Sequence, residues 1–252
     1  MPNECDTAAI AQALLSARAQ RRQLQVTDID GEVQTLADAY AVHEQVMQEL
    51  GPVGAFKTSK LPDGTQIVAP IPASVVRPSG ATFAADELLQ VGIELEIAFR
   101  IERGLPSPDA EDFENKLRSC VVALPVIEVV DTRLAFLETC HPMMKLADNQ
   151  SNGGLAIGQP VADWQERNVA TPDHHFAAGD TVISTGAGAV PGGSAWDIFE
   201  GLVRVIGEHC GGLQVGQYVT TGALSGLHWI DKGCKVTGRI EGFGSVDVTI
   251  AA

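Results

Sequence analysis

The densest chemistry in the chain lies in Gly92-Ile93-Glu94-Leu95-Glu96-Ile97-Ala98-Phe99. On a strand, successive side chains point to opposite faces. Ile93, Leu95, Ile97 and Phe99 would then enter a core together, and Glu94 and Glu96 would share the other face. Carboxylates two residues apart stand roughly 7 Å apart at about 3.3 Å per residue, near enough for their oxygens to converge on one cation. Without a cation, the like charges would raise each other's pKa. The plainer alternative is a half-buried strand with a solvated acidic face.

A second segment, Pro125-Val126-Ile127-Glu128-Val129-Val130-Asp131-Thr132-Arg133, embeds Glu128 in an apolar run. A buried carboxylate is costly unless it is paired or bound to metal. Its ordinary partner would be Arg133 or a backbone cap, and Asp131 with Arg133 is expected to form a structural ion pair. Three carboxylates with no supporting His or Cys favour a hard cation, Mg²⁺ or Mn²⁺, over zinc. A third segment, Gly54-Ala55-Phe56-Lys57-Thr58-Ser59-Lys60, sets Lys57 after an apolar triplet. In a pocket, desolvation would lower the pKa of this lysine and let it exchange protons near neutrality. On the surface it would simply snorkel.

The elements that must position these groups are legible in outline. Asp6 or Thr7 can cap a helix through Leu24, and a second helix fits Thr35 to Leu50, stopped by Gly51-Pro52. Val53–Thr58 reads as a short strand. Pro70, Pro72 and Pro78 predict an extended surface segment over Ala69–Gly80. Gly92–Ile101 alternates cleanly, Asp109–Arg118 fits a short helix, and Cys120–Val130 suits a strand buried on both faces. Thr181–Ser184 reads as a strand and Ala195–His209 as an amphipathic helix. Strands follow near Tyr218–Thr221, Lys235–Ile240 and Val246–Ile250. Helices and strands do not alternate as βαβ units, so the expected class is α+β, a mixed β core with helices at its side. One domain is expected over 1–252, with a helical segment at 1–52 and a β-rich core at 53–252.

Composition narrows the partners. Among 252 residues, 32 are acidic and 17 basic, a formal net charge of −15. Such a surface argues against nucleic acid and anionic membranes. Hydrophobic residues make up 45%, enough for a real core and against disorder. The cysteines number five, without a CxxC pair, and are expected to be reduced thiols. No signal segment or membrane span is apparent, so a cytoplasmic location is expected.

Taken in order, these motifs resemble the 2-keto-4-pentenoate hydratase family of the fumarylacetoacetate hydrolase superfamily. The resemblance rests on Phe56-Lys57, the Glu94-x-Glu96-Ile97-Ala98-Phe99 strand and Ile127-Glu128-Val129-Val130-Asp131-Thr132-Arg133. Ala147-Asp148-Asn149-Gln150-Ser151-Asn152-Gly153-Gly154, Ala195-Trp196, Thr221-Gly222-Ala223-Leu224-Ser225-Gly226 and Gly242-Phe243-Gly244-Ser245-Val246 add to it, as does Asp38-Ala39-Tyr40. The resemblance implies a mixed β-roll core, a homo-oligomer and Mg²⁺ or Mn²⁺ held by Glu94, Glu96 and Glu128. It makes Lys57 the active-site lysine and places Thr221 in the loop that meets the substrate carboxylate. Ser59 stands where the family usually has glycine, and Ala223 where serine is common. The resemblance puts both in segments around the substrate.

The implied reaction is hydration of a 2-hydroxy-2,4-dienoate, a 2-keto-4-pentenoate-type substrate, through a metal-stabilised enolate, with Lys57 moving the proton. The same site would serve a 2-keto acid decarboxylase, an acylpyruvate C–C hydrolase or a non-catalytic 2-keto acid binding protein. His43, with Glu44 or Glu49, is a further candidate for a lid pair that could reach the substrate. Gly186-Ala187-Gly188-Ala189-Val190-Pro191 is read as a loop and not a dinucleotide site. His141 and His174-His175 are read as loop and turn residues.

Overall fold

The computed structural model describes residues 5–29 and 31–252. The chain opens with two helices, α1 (Thr7–Gln20) and α2 (Leu36–Leu50). The Asp6 carboxylate accepts the Ala8 and Ala9 amides and starts α1. The helix ends at Arg21, in the left-handed conformation, short of the expected Leu24. Thr35 Oγ1 accepts the Asp38 amide and starts α2, and Gly51 closes it. The first strands are β1 (Val53–Lys60), β2 (Gln66–Pro72), β3 (Val76–Pro78), β4 (Thr82–Phe83) and β5 (Gly92–Ile101). A short helix, α3 (Phe113–Arg118), leads into β6 (Val121–Val130), followed by α4 (Pro142–Ala147) and β7 (Asn152–Ile157). Then come β8 (Asp173–Ala178), β9 (Thr181–Ala187), α5 (Ala195–Val205), β10 (Tyr218–Ala223), β11 (His228–Trp229), β12 (Cys234–Ile240) and β13 (Gly244–Ile250).

The strands form two mixed sheets. One runs β2-β1-β10-β5-β6-β7-β3, with β11 also paired to β5, and the other runs β4-β13-β12-β8-β9. Parallel pairs join β1 to β10, β3 to β7 and β13 to β4, and the remaining ladders are antiparallel. The apolar face of β5 carries Ile93, Leu95, Ile97 and Phe99 into the main core, with Val236, Ile240, Val246 and Val248 of the second sheet. Phe99 meets Trp164 and Trp196 edge-on, and Arg118 lies over the Trp196 ring. A separate apolar cluster joins α1, α2 and α4 through Ile10, Leu14, Val42, Val46, Met144 and Leu146.

Several sequence expectations change here. Ala69–Gly80 lies at the surface only from Ala73 onward. Its first part belongs to β2, where Ala69 and Ile71 are fully buried. The prolines are tolerated because β2 is the end strand of its sheet and pairs only with β1. His174-His175 is no turn, since both residues lie on β8 and His174 Nε2 meets Ser184 Oγ at 2.6 Å. His141 caps α4, its ring nitrogen accepting the Met143 amide. Strand β7, which completes the ladder beside β6, carried no alternation to announce it. The cysteines are unpaired thiols. No helix among the described residues is long and apolar enough to cross a membrane.

Gly54, at the irregular start of β1, packs where a Cβ would stand 2.6 Å from the Ala73 Cα. Because backbone cannot yield as a side-chain tip does, Gly54→Ala should cost roughly 1–3 kcal/mol of stability. A denaturant melt with an unchanged midpoint would refute this close approach.

Candidate active site

The alternation of β5 and the register of its partners build the site. Glu94 pairs directly with Glu128 across the β5–β6 ladder, and Glu96 lies two residues along on the same face. One oxygen of each glutamate lies within 4.8 Å of one from each of the others. Around them, Ala55, Ile71, Ala98, Leu124, Val126 and Leu155 form a small apolar cluster. Glu96 and Glu128 are buried, while Glu94 keeps partial exposure and marks the open side.

Lys57 reaches this cluster from β1. Its Nζ donates to Glu128 Oε1 at 2.7 Å and to the Gln150 carbonyl at 3.1 Å, and stands 3.9 Å from Glu94 Oε2. Asn152 Nδ2 also donates to Glu128 Oε1, at 2.9 Å. The Gly222 amide donates to Glu96 Oε2 at 2.7 Å. The second oxygen of Glu128 is buried without a hydrogen-bond partner. Hard oxygen donors, crowded like charges and an unsatisfied buried oxygen fit a divalent cation such as Mg²⁺ or Mn²⁺. Glu94, Glu96 and Glu128 are the residues that could hold it.

Electrostatics agree with the geometry. Burial, then Glu128 and Glu94, push the Glu96 carboxyl up to about 8. Burial and Glu128 raise Glu94 as well, against the pull of Lys57. For Lys57 the sequence expectation fails in sign. Burial alone would lower its ammonium, but Glu128, Glu94 and Glu96 overcome that and hold it above its ordinary value.

The backbone that receives Lys57 is unusual. Asn149, Gln150 and Ser151 all have left-handed φ, of 48°, 48° and 59°. That turn points the Gln150 carbonyl at the lysine, while Asn149 Nδ2 donates to the Pro70 carbonyl on β2 at 2.9 Å. The sequence flagged this segment only as part of a motif, and gave Asn152 and Gln150 no role.

The other predicted residues fall differently. Thr221 is buried, and its hydroxyl donates to the Ile97 carbonyl at 2.8 Å. Its neighbour Thr220 stands in register with Lys57 on one side and Ala98 on the other, and its buried hydroxyl has no partner. His43 is fully buried, with Nε2 against the Leu146 carbonyl at 2.6 Å and Nδ1 against His209 at 3.3 Å. Burial holds its imidazole down to about 3, so it is neutral. Asp131 and Arg133 do not form the expected side-chain pair. The Arg133 guanidinium binds Asp148, and the Asp131 carboxylate accepts the Leu89 and Gln90 amides.

No protein-family model matches the chain. It is 30% identical over 178 residues to 2-keto-4-pentenoate hydratase 2 of Dechloromonas aromatica, covering 68% of this chain and 65% of that protein. It is 29% identical over 182 residues to the TodF product hydratase of Pseudomonas putida, covering 71% and 66%. The chain thus spans just under two thirds of the length of these curated relatives. Among solved structures, 4-oxalocrotonate decarboxylase from Pseudomonas putida G7, complexed with magnesium and adipate, superposes with a TM-score of 0.78 at 21% identity, over 96% of both chains. Fumarylpyruvate hydrolase from Pseudomonas aeruginosa, in complex with Mn²⁺ and pyruvate, gives 0.56 at 14% identity, over 78% of this chain and 88% of that one. The chain shares its fold, mixed sheets with few helices, with these two structures. In sequence, the chain is similar to these curated hydratases over about two thirds of its own length.

The crowding of carboxylates has a pH signature. The folded protein keeps a proton on Glu96 up to about 8, whereas an unfolded chain releases it near the ordinary 4.5. Stability in chelator should therefore fall as pH rises through that window. The fall should flatten in Glu96→Gln and on adding Mg²⁺. Melts that are flat in the wild type across the same range would contradict a raised Glu96.

Lys57 is the positive partner the cluster has from protein alone. Removing one member of a buried pair typically costs about 3–5 kcal/mol. Metal-free Lys57→Met should lose stability on that scale and recover much of it with Mn²⁺. Equal stability with and without Lys57 would show that the glutamates do not need its charge.

Proposed function

We propose that the chain is a divalent-metal-dependent hydratase that adds water to a 2-hydroxy-2,4-dienoate, a 2-keto-4-pentenoate-type substrate. The observation that carries this is the convergence of Glu94, Glu96 and Glu128 on one sheet face with Lys57 against them. Sequence similarity to curated hydratases supports the choice of reaction.

In this proposal Glu94, Glu96 and Glu128 are the metal ligands. When bound, Mg²⁺ or Mn²⁺ supplies Lewis acidity to a 2-keto acid and positive charge for the enolate form. The protein does the rest. Lys57 Nζ is the proton shuttle, aimed by its bonds to Glu128 Oε1 and the Gln150 carbonyl. Its ammonium is held by the same carboxylates that would hold the cation, so filling the cluster weakens that support and favours proton release. The apolar wall of Ala55, Ala98, Val126 and Leu155 keeps water away from the ion pair. The Thr220–Thr221 bend faces the substrate carboxylate. There Thr220 offers the free hydroxyl, and Thr221 fixes the bend through Ile97. We further propose a cytoplasmic homo-oligomer and one domain over 1–252, a helical segment at 1–52 beside a β-roll core at 53–252.

The test follows loss of 2-hydroxypenta-2,4-dienoate absorbance with Mg²⁺ or Mn²⁺ and resolves the products. Metal-dependent 4-hydroxy-2-oxopentanoate is expected, absent in Glu96→Ala and slowed roughly 10²–10⁴-fold in Lys57→Met. Release of CO₂ from a dicarboxylic analogue would instead assign a decarboxylase, and two carbon fragments an acylpyruvate hydrolase. Metal binding without turnover of any of these would leave a 2-keto acid binding protein.

A further inference from the structure

A second cluster of metal-ligating side chains lies between α2 and the turn after α5. Glu44, His209 and Cys210 each offer a ligand atom within 4.8 Å of the others. His209 Nδ1 stands 3.3 Å from Glu44 Oε1, and Cys210 Sγ stands 3.9 Å from that same nitrogen and 3.7 Å from Nε2. The Cys210 backbone, left-handed at φ 48°, brings its amide to Glu44 Oε1 at 2.6 Å. The His209 side chain is 7% exposed, while that of Glu44 is 48% exposed and opens the cluster to solvent.

Hydrogen bonding fixes which nitrogen of His209 is free. His43 Nε2 faces only the Leu146 carbonyl, at 2.6 Å, so it carries a proton and donates. A neutral His43 then presents Nδ1 as an acceptor, and His209 Nε2, 3.3 Å away, must donate to it. This leaves Nδ1 of His209, 3.3 Å from Glu44 Oε1, as the ring nitrogen that faces the cluster. Nitrogen and oxygen donors about 2.0–2.1 Å from a tetrahedral cation sit about 3.3 Å apart, and a sulfur at about 2.3 Å sits about 3.6 Å from the nitrogen. The Glu44–His209 spacing already fits, and the Cys210 side chain must turn toward Nδ1 to complete the set. The outer bonds also match what a ligating histidine requires, a partner that holds its second N–H.

We propose that Glu44, His209 Nδ1 and Cys210 Sγ form a site for a zinc-class divalent cation, with a solvent molecule completing the tetrahedron. The thiolate selects a softer ion than the all-oxygen glutamate cluster does. Binding releases the Cys210 thiol proton to solvent. The bound ion would clip α2 to the turn His209–Gly211, tying the N-terminal helices to the chain that leads into β10.

Cobalt titration of the chelator-treated full chain tests this, because a thiolate on Co²⁺ gives a near-ultraviolet charge-transfer band that carboxylates cannot. The band is expected in the wild type and in Glu96→Ala, lost in Cys210→Ser and His209→Gln, and reached only at roughly 10–100-fold higher cobalt in His43→Gln. Should Cys210→Ser fail to fold, Glu44→Gln at the exposed rim should weaken the same band. No band in the wild type, or a band that survives Cys210→Ser, overturns the site. The His209–Glu44 contact would then be a plain hydrogen bond. The Glu96→Ala arm keeps this result separate from the fate of the hydratase proposal.

Discussion

Three carboxylates on one sheet face demand positive charge, and the rest of the structure is arranged around meeting that demand. Glu128 sits at zero exposure opposite Glu94, with Glu96 buried beside them. Such a group is unfavourable without a counter-charge, because burial and mutual repulsion both oppose ionisation. Lys57 supplies that charge from protein alone, and a divalent cation would supply more. With a cation bound, the site would be a competition between these positive charges for the same oxygens.

The sheet makes the competition possible by holding each group to a register. One face of β5 anchors the two sheets to each other through Ile93, Leu95, Ile97 and Phe99. A one-residue slip would move the glutamates into that core and the apolar residues out. Lys57 arrives from β1 through the parallel β1–β10 pair, which also places Thr220 next to it. The bend after Thr220 lets the Gly222 amide reach Glu96. Each polar contact in the site thus depends on a ladder that is itself held by apolar packing on the opposite face.

Much of this was legible in the residues. The alternation in Gly92–Ile101 announces a strand with two faces, and the apolar run around Glu128 announces a buried acid. The caps at Asp6 and Thr35 are local and read correctly. What failed was long-range. Arg133 has an acidic neighbour in Asp131 but binds Asp148, which the chain brings back only after α4. Proline in β2 suggested the surface, yet an end strand can be buried by helices on its face. A lysine in an apolar stretch suggested a lowered pKa. The sign depended on carboxylates from two other strands, which local sequence does not place.

The turn at Asn149–Ser151 has a consequence for how this protein can change over time. Three successive non-glycine residues in the left-handed region cost roughly 1–3 kcal/mol each. Glycine would relieve that cost, yet a looser turn would no longer hold the Gln150 carbonyl on Lys57. In this segment backbone preference and the placement of Lys57 therefore pull in opposite directions. A change toward easier backbone in this turn would act on the lysine's aim, because the Gln150 carbonyl that receives Lys57 sits at its centre.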